Sequence, residues 1–404
     1  MATLLQFSVG NFRSFNQVRT FSMAASSIQD EPKENVVANG HYKFLISAAL
    51  YGANSSGKSN LVYAFSQMKE IVINSGRLNH NDQLPHDPFL LAEDCGNRPT
   101  HFETVYLDNN GNRIRYGFDY SLNKIEREWL FIANANQKER PHFVRDEEGI
   151  AINENLFSEG NGLEERTNDN RLFLSVVAQL GGKISMSVID FFQFGLKIIS
   201  GLDNQGYEGL TEKQFLDRQE EAAKAMAFFS DLQLGFDNLE AIAHGNVIDV
   251  YSIHNVYGVE GNIAGSRRFR FDKCESQGTQ KLFELAGPLF DTLKHGRILV
   301  MDELDAKMHP LISQHIIRLF NDPSTNPKRA QLIFTTHDTN LLSSHLLRRD
   351  QIWFTEKDKS ESSDLYSLMH IVLPDGSKPR GDGNIERNYI RGRYGAIPYL
   401  QNLE

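Results

Sequence analysis

The octapeptide Gly52-Ala-Asn54-Ser55-Ser56-Gly57-Lys58-Ser59 has the spacing G-x-x-x-x-G-K-[ST], and each residue type in it has a role on a polyphosphate. The two glycines let backbone N–H groups along Asn54, Ser55, Ser56 and Gly57 face a β-phosphate, and a helix beginning at Lys58 would add its positive dipole end. Lys58 would neutralise β- and γ-oxygens, while the Ser59 hydroxyl is a ligand for Mg²⁺. A second group stands far along the chain, where Arg297-Ile-Leu-Val-Met301 ends in Asp302 and Glu303. Four apolar residues of a buried strand would deliver both carboxylates to its C-terminal edge, where ligands collect in parallel sheets. Asp302 suits the Mg²⁺ shell, and Glu303 can polarise a water for attack on a γ-phosphate. The chemistry these residues can do together is phosphoryl transfer to water.

Two further groups carry less on their own. Ser276-Gln-Gly278-Thr279 is a second anion cradle if it opens a helix, and it is equally an ordinary N-cap. His337, in Thr335-Thr-His337-Asp338, can act as an acid or base, or can simply end a strand. Lys58 and Asp302 are separated by more than half the chain, so one nucleotide site would have to be assembled across a large intervening segment.

The elements that must position these groups are legible in the pattern. Phe44 to Tyr51 is a continuous apolar run, as expected of a strand buried on both faces, and it leads straight into the glycine turn. From Lys58, a helical stripe of Leu61, Phe65, Met68 and Val72 runs to about Ile73. Leu4–Val9, Phe102–Leu107, Arg113–Tyr120 and Glu128–Ala133 read as strands of an antiparallel lobe, with Asp108–Asn112 as a turn. Arg171–Leu180, Met186–Ile199 and Thr211–Leu232 read as helices, the last opening on a Thr211-x-x-Gln214 capping box. Strand character returns at Val247–Tyr251 and Arg267–Phe271, then comes a helix from about Thr279, and buried strands at Arg297–Met301 and Gln331–Thr335. The division expected is therefore 1–150 with the phosphate loop and β lobe, 151–245 as a mostly helical insert, and 246–404 with the remaining motifs.

Composition narrows the classes. With 404 residues, 40 % hydrophobic and 23 % charged, the chain can bury a large core and is not a disordered or collagen-like polymer. No apolar run approaches the roughly 20 residues of a membrane span, and Met1–Phe7 has no basic flank before an apolar core, so a cytoplasmic protein without membrane contact is expected. Cys95 and Cys274 are too few for a zinc site or disulfide framework. A net charge of −10 argues against bulk attraction to nucleic acid, although the local basic stretch Arg267-Arg268-Phe269-Arg270-Phe271-Asp272-Lys273 leaves that contact possible.

In their order, the motifs resemble those of ABC-type ATPases: phosphate loop, signature turn at Ser276, Gly278 and Thr279, acidic strand end, then the switch histidine His337. Leu304-Asp305-Ala-Lys-Met-His309-Pro310 resembles the D-loop of that superfamily, with Asp305 as its acid. Gly10-Asn11-Phe12-Arg13-Ser14-Phe15 resembles the opening of the RecF and SMC branch, where such an arginine lies near the nucleotide phosphates. Taken whole, with Arg387-Asn-Tyr-Ile-Arg391-Gly-Arg393-Tyr394-Gly-Ala-Ile-Pro398 near the C-terminus, the chain looks like the ATPases grouped with the overcoming-lysogenization-defect (OLD) proteins, most like the RloA/AbiL kind of phage-defence ATPase.

The resemblance implies an α/β fold, an ABC-type P-loop ATPase domain with an antiparallel β lobe and a helical insert. It implies ATP and Mg²⁺ as cofactors, Glu303 and His337 as catalytic residues, and Arg13 with the phosphate loop as the ATP-binding set. It also implies a homodimer in which Ser276, Gly278 and Thr279 act on the partner's nucleotide, and a separately encoded, nuclease-like effector in abortive infection. A nucleotide-switched DNA clamp of RecF type is the alternative. No Q-loop glutamine stands out, Gln83 being the candidate, and the short remainder after His337 has no room for a fused metal nuclease.

Overall fold

The computed structural model describes residues 2–30, 32–134, 137–199, 205–373, 375–380 and 383–398, with only the backbone described at positions 95, 205, 206 and 208. Strands β1 (Thr3–Gly10) and β2 (Arg19–Ser22) form an antiparallel pair. A small hairpin, β3 (Val36–Asn39) with β4 (Tyr42–Leu45), leads into β5 (Ser47–Tyr51), which is buried at every residue. The run expected as one strand from Phe44 is thus split at Ile46: the part before it pairs with β3, and only Ser47–Tyr51 enters the central sheet. The glycine turn follows β5, and α1 (Lys58–Asn74) begins at the lysine.

Strands β6 (Thr100–Leu107), β7 (Arg113–Tyr120), β8 (Ile125–Ala133), β9 (Arg140–Asp146) and β10 (Gly149–Ile152) join the first pair in a seven-stranded antiparallel sheet ordered β10-β9-β8-β7-β6-β1-β2. This is the expected antiparallel lobe. Helices α2 (Phe173–Gln179) and α3 (Lys183–Asp190) come next, and α3 ends in a π-turn, Phe191–Gly195. The chain then becomes β11 (Leu196–Ile199), so the helix expected over Met186–Ile199 stops short. That strand is apolar and short enough to mimic a last helical turn, but it pairs in parallel with the strand carrying Asp302. Part of the expected helical insert is therefore an edge of the nucleotide-binding sheet.

After residues 200–204, which lie outside the described part of that segment, come α4 (Gln205–Leu216) and α5 (Glu220–Asp231). Thr211 lies inside α4 and is no helix cap. Its hydroxyl accepts from the Gly287 N–H (2.9 Å) and donates to the Glu284 carbonyl (3.2 Å). That carbonyl belongs to α7 (Gln277–His295), where Pro288 has no N–H to give it, so Thr211 supplies the bond that the proline removes.

Between α5 and α7 stand the three-stranded sheet β12 (Asn238–His244), β13 (Val247–Tyr257), β14 (Ile263–Arg270), and the short α6 (Phe271–Cys274). The chain finishes with β15 (Ile298–Met301), α8 (Pro310–Asn321), β16 (Gln331–Thr335), β17 (Ile352–Lys357), β18 (Ser363–Ser367) and α9 (Ile385–Ile390). The expected third part runs to 404, and its residues 399–404 lie outside the described residues.

The central sheet is ordered β11-β15-β16-β5-β17-β18 and is parallel except for the β17–β18 pair. It separates two cores, which explains why its strands read as unbroken apolar runs. Ala48, Leu50, Ile298, Val300 and Ile333 pack toward α1 and the antiparallel sheet, where Phe7 stacks on Phe65 of α1. The alternate residues Ala49, Tyr51, Leu299, Met301, Leu332 and Phe334 pack toward α4, α5, α7 and α8. The fold is a mixed α/β P-loop architecture in which the phosphate-loop strand β5 and the acidic strand β15 are held apart by β16. Among the described residues no single helix is long and apolar enough to cross a membrane.

Candidate nucleotide-binding and hydrolysis site

The phosphate loop joins the end of β5 to the start of α1, between two backbones that need glycine. Gly52 has φ 157° and Gly57 has φ 113°. A Cβ on Gly57 would sit 2.3 Å from the Ser363 hydroxyl, so both the left-handed conformation and the packing behind the loop exclude a side chain there. The first turn of α1 has no side-chain cap, which leaves its N–H groups for an anion. Asn54 and Ser55 are exposed at the crest of the loop, and Ser55 is itself left-handed (φ 62°).

Lys58 is buried and folds back onto the loop, donating to the Gly52 carbonyl (2.8 Å) and the Ala53 carbonyl (3.1 Å). Burial pushes its ammonium down to about 8, against the attraction of Asp302, Glu303 and Asp305. The three acids are thus close enough to act on the lysine although they come from the far end of the sequence.

Ser56 departs from a simple phosphate contact. Its hydroxyl bonds Thr355 Oγ1 behind the loop (2.7 Å), leaving only its backbone for a nucleotide. Ser363, at the start of β18, donates to the Ser56 carbonyl (2.7 Å) and accepts from the Ser14 hydroxyl (2.7 Å), which itself accepts from Asn60 of α1 (2.7 Å). Ser14, Thr355 and Ser363 form a hydroxyl layer that sets the loop's shape. Thr355 and Ser363 carry no recognisable motif, because ordinary strand-end residues reach the loop only through the pairing of β17 with β5 and β18.

Asp302 and Glu303 follow β15 as expected, and the residue between them and β5 is Thr335, at the end of β16. Its hydroxyl donates to Asp302 Oδ1 (2.6 Å) and accepts from the Glu303 N–H (2.7 Å). One threonine therefore orients both acids, a role that its place in the histidine motif did not reveal. Glu303 is in the left-handed region (φ 51°), a conformation unusual for a glutamate and held there by the two neighbouring strands.

Asp305 Oδ2 accepts from the His337 N–H (3.3 Å), and Asp305 Oδ1 is buried without a partner. Burial, and then Lys58, hold the His337 imidazole below its ordinary value against the pull of Asp305, Glu303 and Asp302, so the ring is neutral near pH 7. Asp305 and His337, expected as D-loop acid and switch histidine, are joined within one chain.

Arg13 lies in a left-handed turn (φ 47°) with its guanidinium on Asp87 (3.3 Å) and over the Tyr63 ring (4.2 Å). Tyr63 feels both Asp302 and Arg13, which places the arginine at the margin of the site, bound to another acid. Gln83 is exposed. Ser276 is the N-cap of α7, accepting from the Thr279 N–H (3.1 Å), and no hydrogen bond among the described residues joins Ser276, Gly278 or Thr279 to the phosphate loop. Gly278 instead packs on the turn after Asp302, where a Cβ would meet the Lys307 carbonyl at 2.9 Å.

Among the described residues no three acidic, histidine or cysteine side chains converge as a metal cage. The hard oxygens of Ser59 and Asp302 suit Mg²⁺, an ion commonly held by one or two protein oxygens plus phosphates and water.

Fold and phosphate loop together define a P-loop protein of the AAA-domain ATPase class. Residues 47–343 match the family described as "AAA domain, putative AbiEii toxin, Type IV TA system", and the chain belongs to that family. No curated protein sequence matches it. Among solved structures it is similar to an SMC head bound to the C-winged helix domain of ScpA, at 12% identity and TM-score 0.47, covering 90% of this chain and 97% of that one. It is also similar to the recombination mediator RecF with ATP, at 12% identity and TM-score 0.38, over 90% and 98% of the two chains.

Proposed function

We propose that this chain hydrolyses ATP as a homodimer and thereby regulates a separately encoded, nuclease-like effector in an abortive-infection type of antiviral defence. The observation that carries the dimeric reading is the separation just described. A formed phosphate loop and a formed Ser-x-Gly-Thr turn occur in one chain with no hydrogen bond between them among the described residues, and Ser276 and Gln277 of the turn are exposed while Gly278 is half-buried and Thr279 buried. Two chains related by a two-fold axis would place Ser276, Gly278 and Thr279 of each on the nucleotide held by Lys58 and Ser59 of the other. The defence setting is supported by the family's description, with its toxin and toxin–antitoxin terms.

In the proposed reaction the phosphates replace the Gly52 and Ala53 carbonyls as partners of Lys58. Mg²⁺, when bound through Ser59 and Asp302, would supply charge neutralisation on the phosphate oxygens. Glu303, its backbone fixed by Thr335, takes the proton of the attacking water, and the products are ADP and phosphate. His337, neutral and anchored to Asp305, is placed to donate to the oxygen that gains charge.

The DNA-clamp alternative drew on the basic stretch in β14. There Arg268 pairs with Glu240 and lies over Tyr251, and Arg270 pairs with Asp249 and Asp272, so two of its arginines are already neutralised.

Mixing inactive chains tests the dimer. In a heterodimer of Lys58→Ala and Ser276→Arg chains both lesions fall in one composite site, and the other is intact. Equimolar mixing should yield hydrolysis that neither variant shows. An inactive mixture with chain exchange demonstrated, or full-rate hydrolysis by a strict monomer, would reject it. The regulatory reading is tested by co-expression with the neighbouring open reading frame, where toxicity independent of Glu303 counts against it.

A further inference from the structure

The C-terminal segment has two faces with different surroundings. On its inner side, Tyr389 of α9 packs edge-on against Tyr51 (5.7 Å between ring centroids) and along Phe354 (5.4 Å). Tyr51 is the last residue of the phosphate-loop strand, and its hydroxyl donates to the Asp338 carbonyl (3.1 Å), next to His337. One residue further, the Thr339 hydroxyl donates to Glu386 of α9 (3.2 Å). The loop carrying the switch histidine is thus held by α9 directly at Thr339, through Glu386, and indirectly at Asp338, through the Tyr51 ring on which Tyr389 packs.

On its outer side the same segment presents Arg387, Arg391 and Arg393, all exposed, with Ile390 59% exposed among them. Arg387 and Arg391 stand four residues apart, at the spacing that brings side chains together on a helix. A Schellman turn fixes Arg393 beside them: the Gly392 N–H donates to Tyr389 O (2.8 Å), the Arg393 N–H to Asn388 O (3.0 Å), and Gly392 is left-handed (φ 73°). Among the described residues no acidic side chain forms an ion pair with any of the three, in contrast to Arg268 and Arg270 of β14. Asp375 is near enough to feel Arg393 without pairing with it.

We propose that Arg387, Arg391 and Arg393 form a docking site for the phosphate backbone of a nucleic acid, and that occupancy is transmitted through Glu386 and Tyr389 to the His337 loop. Guanidinium forks match phosphate oxygens two at a time, and the ions released from the backbone supply the driving force. The chain as a whole carries −10, so a polyanion would be repelled elsewhere and held where cations stand without acidic partners. An acidic protein partner would call for a wider apolar surface than Ile390 offers. The transmission rests on the ATPase reading above; the binding does not.

The test titrates a fluorescent mixed-sequence oligonucleotide with the full chain, without ATP, across a salt series. Binding should weaken with salt at a log–log slope of about −2 to −3, as expected for three phosphate contacts. Arg387→Ala, Arg391→Ala and Arg393→Ala together should cost about tenfold or more in affinity and flatten the slope, each single change removing about one unit. ATP affinity, measured on the same preparation, should stay unchanged and show that the variant is folded. The pair Arg268→Ala and Arg270→Ala, whose guanidiniums already have acidic partners, should leave oligonucleotide binding intact. The site is overturned by absence of binding at low salt, by binding indifferent to the triple change, or by polyglutamate displacing the oligonucleotide at equal charge. The transmission is overturned if saturating oligonucleotide leaves kcat unchanged in the wild type, or if Glu386→Ala responds as the wild type does while Glu386→Gln, which keeps an acceptor for Thr339, does too.

Discussion

The phosphate loop and the Ser276 turn both stand at helix starts, yet they are built in opposite ways. Around the loop, Ser14, Ser56, Thr355 and Ser363 are interlinked, two glycines are locked by their conformation, and Lys58 is buried with two carbonyl partners. Around the turn there is one capping hydroxyl, an exposed serine and a glycine resting on a backbone carbonyl. A site that must hold phosphate alone needs its geometry over-determined. In the dimer proposed above, the turn would meet phosphate only when another surface arrives, and its serine stands outside.

The largest effect that would sharpen this contrast is on hydrolysis. Glu303→Gln should keep Mg-ATP bound and slow single-turnover hydrolysis by about 10²–10⁴-fold, since the amide cannot accept the water proton. Wild-type turnover would remove Glu303 as the base. Lys58→Ala should weaken ATP by about 1.5–3 kcal/mol, roughly 10- to 150-fold by calorimetry, and unchanged affinity would break the loop's side of the comparison.

Thr335→Val should cost about 1–3 kcal/mol in denaturant unfolding, because the Glu303 N–H loses its partner, and should lower kcat more than it raises KM for ATP. At the signature turn, Ser276→Ala should lose about 0.5–2 kcal/mol of stability and Ser276→Gly only a few tenths. If Ser276 is a cap alone, Gly keeps activity that Ala loses. If it touches the partner's phosphate, both variants lose hydrolysis alike, whatever their stability.

The loop, β5, α1 and the acidic strand were legible because each is local: an apolar run, a glycine turn and a helical stripe within thirty residues, or four apolar residues ending in two acids. Thr335, Ser363 and Thr355 were not, since their importance lies in strand neighbours far apart in sequence. β11 was misread for a related reason. Leu196–Ile199 is too short for its period to show, and only its parallel partner β15 makes it a strand. Thr211 matched a capping box by spacing, but the missing N–H of Pro288 recruited its hydroxyl elsewhere.

Placing β5 between β16 and β17 has a consequence for how the molecule comes into being. Tyr51 reaches its hydrogen-bond partner 287 residues later, and Ser56 its own 299 residues later. At synthesis rates of about 5–20 residues per second, the phosphate-loop strand emerges and waits roughly 15–60 s for the strands that flank it. During that interval the nascent chain carries an unpaired, largely apolar β segment, which is the kind of surface chaperones cover and aggregates recruit. Contacts of such long range also slow the search for the native pairing. The site is therefore complete only once β17 has been synthesised, and a chain interrupted before it would display the motif without possessing the site.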